Sequence, residues 1–76
     1  MMSKQLEFVP RGRKADPVDR EWACALAARI GLVRAAKVTG VSRSALANVL
    51  ADLTVYPGTL AIIREARLRA SASAAA

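Results

Sequence analysis

Histidine is absent from this chain of 76 residues, cysteine occurs once, and Phe, Trp and Tyr occur once each. With no histidine and Cys24 alone, none of the usual Cys/His zinc sites can be assembled and no internal disulfide can form. General acid–base chemistry loses its commonest residue, no glycine-rich phosphate loop is present, and Cys24 has no evident activating neighbour. The expectation is therefore a non-enzyme with no metal, no cofactor and no small-molecule ligand. Long apolar runs are also missing. Hydrophobic residues make up 54%, but much of that is alanine, and charges interrupt every run before the roughly 18 residues needed to span a membrane. No secretory-type apolar stretch follows Met1, and a lone cysteine suits a reducing compartment. These features predict a soluble, cytoplasmic protein.

Acidic residues are the other scarcity. Six Asp and Glu stand against twelve Lys and Arg, a net charge of +6, with a pI near 10.8. Such a balance favours a polyanionic partner. No acid occurs between Glu21 and Asp52, an interval that holds Arg29, Arg34, Lys37 and Arg43. Residues 1–14 add Lys4, Arg11, Arg13 and Lys14 against a single Glu7. One domain is all that this length accommodates. A core of that size is marginal alone, and with disulfide and zinc excluded, a second copy of the chain is the remaining support.

Residues 1–15 show no helical period and read as a flexible basic arm; "QLEFV" alternates, so Leu6 and Phe8 suit either a short strand or a mobile leader. Asp16-Pro17 is a helix start, with Asp as N-cap and acids at 19 and 21 in favour with the dipole. Val18, Trp22, Leu26 and Ile30 predict the core stripe of that helix, and Gly31 its stop; Cys24 falls on the far side with Arg20, Ala27 and Ala28. "LVRAAKVT" is a second helix, and Gly40 marks a tight turn. Ser42 caps a third helix, "RSALANVLA", with Leu46, Val49 and Leu50 inward and Arg43, Ser44, Ala47, Asn48 and Ala51 outward. A loop from Asp52 to Gly58 leads to a helix capped by Thr59, with Leu60, Ile63 and Ala66 on one side. The expected fold is an all-α, small four-helix domain over residues 16–69, with arm 1–15 and an Ala/Ser tail 70–76, a fraying helix end or a disordered segment.

"AAKVTGVSRSALANVLA" resembles the helix-turn-helix segment of lambda-repressor/Cro-like (XRE-type) domains, and is similar to the LacI-type headpiece, where a Gly-Val-Ser turn also precedes the recognition helix. "TVYPGTLAIIREA" extends the likeness, which covers roughly residues 18–69. Two departures leave the subfamily open: four helices instead of five, and Asp52 near where many XRE-type domains carry glycine.

The resemblance implies double-stranded DNA as partner, with helix 43–51 in the major groove. Arg43, Ser44, Ala47 and Asn48 are then the candidate base contacts. Arg34, Lys37, Ser42, Thr54 and Tyr56 are candidate phosphate contacts, although Tyr56 suits a core lid equally well. "PRGRK" has the composition of an AT-hook core, but its place just ahead of the first helix makes it an auxiliary arm. Its Arg11, Gly12, Arg13 and Lys14 would contact the minor groove or phosphates. The expected function is a sequence-specific transcriptional regulator, a nucleoid-associated repressor acting as a homodimer. The alternatives are an architectural DNA binder of low specificity and a protein-interaction module such as an antitoxin.

Overall fold

The computed structural model describes residues 12–75, so Leu6, Phe8 and Arg11 lie outside the described residues. The described residues form an all-α domain of four helices: α1 Pro17–Ile30, α2 Leu32–Thr39, α3 Arg43–Leu50 and α4 Pro57–Ala75. Pro17 opens α1 where a missing N–H costs nothing. Gly31 (φ 91°) closes α1 by donating its N–H to the Ala27 carbonyl at 2.8 Å, and its own carbonyl accepts from Ala35 N–H at 2.9 Å in the first turn of α2. Gly40 (φ 89°, ψ 17°) ends α2 in the left-handed region, where the N–H groups of Gly40 and Val41 both donate to the Ala36 carbonyl, at 2.9 and 3.2 Å. These two glycines provide the bends that fold α2 back between its neighbours.

Ser42 caps α3: its Oγ accepts from Ala45 N–H at 3.1 Å. Removing that acceptor leaves a first-turn N–H without a protein partner. Ser42→Ala is expected to cost about 1 kcal/mol, read as a lower midpoint in thermal unfolding, while Ser42→Thr keeps most of the cap. At the other end of α3 the chain closes with a paired motif. Asp52 N–H donates to Val49 O at 3.0 Å and Leu53 N–H to Asn48 O at 2.8 Å, with Asp52 itself left-handed at φ 61°.

The core is built from short side chains. Ala23, Leu26, Ala35, Ala36, Leu46, Val49, Val55, Ile63 and Ala66 are buried, and the four alanines let the helix backbones approach closely. Leu46, Ile63 and Val49 fill the centre. Thr39 is buried beside them and donates its hydroxyl to the Ala35 carbonyl at 2.8 Å, with Ala36 O at 3.1 Å, so no polar group is stranded there.

Several sequence expectations need correction. The buried line of α1 is Asp19, Ala23 and Leu26, while Trp22 and Ile30 are half-buried and Val18 is 60% exposed. Asp19 points inward instead, where Arg64 Nε (3.0 Å) and Arg67 Nε (2.6 Å) of α4 donate to its carboxylate. Asp16 makes no capping bond; its carboxylate pairs with Arg64 instead. The side of α1 with Arg20, Cys24 and Ala27 is not free: Cys24 and Ala27 are half-buried, and Arg20 Nη2 donates to the Leu50 carbonyl of α3 at 3.1 Å. Finally, α4 begins at Pro57, two residues before Thr59, and runs through the Ala/Ser stretch to Ala75. Proline at the first helical position explains the start, and alanine's high helix propensity the extension.

Candidate nucleic-acid interface

The residues proposed to read DNA sit on the outer side of α3 and beside it. Leu46 and Val49 anchor α3 inward, which turns Arg43, Ser44 and Asn48 to solvent; Ala47 and Leu50 are half-buried and Ala51 is exposed. Ala47 is therefore less accessible than the helical period suggested. Arg34 and Lys37 are exposed on α2. Ser42 is exposed, with its hydroxyl already engaged as the cap. No carboxylate occurs on α2 or α3, and the charges they do carry, Arg34, Lys37 and Arg43, are all positive.

An open groove of about 480 Å³ gathers part of this set, lined by Gly12, Ser42, Ala45, Asn48, Thr54 and Tyr56 among others. Tyr56 is 62% exposed, which excludes the core-lid reading. The groove's side-chain chemistry is hydroxyl and amide, with no charge of its own. Arg34, Lys37, Arg43, Ser44 and Ala47 do not line the groove.

The amino-terminal arm is not free along its whole length. Arg13 forms an antiparallel bridge with Val55: Arg13 N–H donates to Val55 O at 2.8 Å, and Val55 N–H to Arg13 O at 2.9 Å. Gly12 lies so close to Thr54 that an added Cβ would stand 2.6 Å from Thr54 Cβ. Lys14 Nζ reaches Asp52 Oδ2 at 3.6 Å. Residues 12–14 are thus held against the segment that follows α3, and Gly12 lines the groove together with Asn48.

Two contributors escaped the sequence reading. Arg20 holds the end of α3 through Leu50 O; its Nε is buried without a hydrogen bond, the nearest acid being Asp52 Oδ1 at 4.0 Å. Asp52 joins the anchored arm, α1 and the end of α3 at one point. Its placement near a position that favours glycine was the one signal available. Among the described residues no helix is long and apolar enough to cross a membrane. No protein-family model, curated protein or solved structure matches the chain, so its function has to be read from these residues.

Proposed function

We propose that the chain is a sequence-specific double-stranded DNA-binding regulator, a repressor that acts as a homodimer on the nucleoid. The observation that carries this reading is the outer side of α3. Arg43, Ser44 and Asn48 stand exposed on a capped helix, in a pair of helices free of acid. In the major groove, Arg43 suits guanine O6 and N7 and Asn48 suits adenine N6 and N7, each through two hydrogen bonds. Ser44 takes a base edge or a phosphate, and the Ala47 methyl meets a thymine methyl. Arg34, Lys37, Ser42, Thr54 and Tyr56 serve the phosphates on either side. Arg11, Gly12, Arg13 and Lys14 of the arm serve the minor groove or the phosphates.

The test is selection of bound duplexes from a random pool, with the whole chain and with a chain lacking residues 1–11. A short motif repeated with two-fold symmetry supports the reading. Arg43→Ala is expected to relax base preference at one position and cost about 1–3 kcal/mol on the selected site. An equal loss on every duplex would remove Arg43 as a base reader. Binding without a motif, and with a steep salt slope, would point instead to an architectural protein. No binding to any duplex at low salt would leave the protein-interaction alternative.

A further inference from the structure

Helix α1 packs against α2, α3 and α4, yet one of its sides has no cover. Val18 is 60% exposed, Glu21, Ala25, Ala28 and Arg29 are exposed, and Trp22 is half-buried. Positions 18, 22, 25 and 29 recur at helical spacing and form one line along the helix. That line faces away from the proposed DNA surface. Arg20, which reaches α3 at Leu50, precedes Ala25 by five residues and so sits about 140° round the helix from it.

The charges on this side are complementary to themselves. Glu21 and Arg29 stand four residues before and four after Ala25. They are about 12 Å apart along the helix, too far to pair within one chain. Neither has an ion-pair partner among the described residues. If a second α1 is laid antiparallel with a two-fold axis at Ala25, each Glu21 meets the other copy's Arg29. The small side chain at the axis allows close approach. Beside the line, a groove of about 410 Å³ between Trp22, Leu26, Val38 and Ala66 carries Arg29 and Arg69 on its rim and no acid, so the incoming Glu21 is also suited to it. We propose that two copies of this chain pair through the exposed side of α1, antiparallel about Ala25, with reciprocal Glu21–Arg29 contacts.

The line from Val18 to Arg29 is only about 16 Å long, so the interface falls at or below the roughly 1,200 Å² where stable association begins. The dimer is therefore weak in free solution. The proposal takes from the DNA-binding reading only the need for two copies. Its test uses no DNA, so either idea can fail alone. Sedimentation equilibrium of the full chain should show a reversible monomer–dimer equilibrium. Glu21→Arg and Arg29→Glu should each raise the dissociation constant about tenfold or more, because each sets like charges face to face twice. The double variant Glu21→Arg/Arg29→Glu exchanges the pair and should return to within about threefold of the starting value. Circular dichroism should be unchanged, since both positions are exposed. A chain that stays monomeric up to about 1 mM, a dimer indifferent to either single reversal, or a double variant that fails to recover would each overturn the proposal.

Discussion

Leu46→Ala is expected to destabilise the domain by about 3–4 kcal/mol, the largest effect of any single substitution considered. Leu46 is 0% exposed and is one of the largest fully buried side chains. It packs from the inner side of α3 into a cluster with Ala23, Leu26, Ala35, Ala36, Val49 and Ile63. Truncating a buried leucine costs about 2–5 kcal/mol, depending on how far the surroundings collapse into the space. Collapse is poor here. Three of those neighbours are alanines, which have no side chain long enough to move in. The backbones behind them are held by the caps at Gly40 and Ser42 and by the closing motif at Asp52. The gap therefore persists, which keeps the cost well above the lower end of the range.

Set against a whole-domain stability of roughly 0.05–0.15 kcal/mol per residue, that loss is about a quarter or more of the total. In a chain of this size it corresponds to a fall of roughly 15–25 °C in the unfolding midpoint. Thermal and urea unfolding at one fixed protein concentration measure it; the concentration must be fixed because a dimer contributes to apparent stability. Leu50→Ala, at a half-buried position on the same helix, should cost markedly less. A loss below about 1 kcal/mol for Leu46→Ala would mean that α3 is not held through this side chain. The orientation of Arg43 and Asn48 would then lack its support.

How much of this was legible depended on the range of the interaction. Helix ends set by local chemistry were readable: Asp16-Pro17, Gly31, Gly40 and Ser42 each act on the adjacent turn. The inward set of α3 was readable too, because Leu46 and Val49 follow a helical period over one short element. The roll of α1 was not. A period-based reading ranks apolar residues inward, so it selected Val18 and passed over Asp19. The partners of the buried Asp19 are arginines 45 and 48 residues further along, and no local pattern reports them. The same holds for the arm, since Arg13 is anchored to Val55 across most of the domain. The start of α4 is different. Pro57 carries the signal that located α1 at Pro17, but with Gly58 beside it the pair read as a turn.

Asp19→Asn is expected to cost about 2–3 kcal/mol, the second-largest effect. Asp19 is 3% exposed, and its two carboxylate oxygens serve different arginines: Oδ1 takes Arg67 Nε at 2.6 Å, and Oδ2 takes Arg64 Nε at 3.0 Å. Asparagine keeps the shape but turns one acceptor into an NH₂ group facing a guanidinium donor. One hydrogen bond is lost, and the charge that compensates two cations goes with it. Breaking a buried ion pair from one side costs about 3–5 kcal/mol. That figure must be reduced here because the Arg64 side chain is 50% exposed and the Arg67 side chain 23%, so water solvates both arginines once they are released. Replacing both partners behaves differently. Asp19→Leu with Arg67→Met removes the charge pair together and should recover most of the loss, since apolar replacement of a buried pair is often neutral. Chemical denaturation of the two single variants and the double variant supplies the cycle. A large loss in each single variant with recovery in the double identifies the pair as what sets the roll of α1. If Asp19→Asn unfolds within about 0.5 kcal/mol of the unsubstituted chain, α1 and α4 are held by apolar packing alone. The inward position of Asp19 would then be a consequence of their docking instead of its cause.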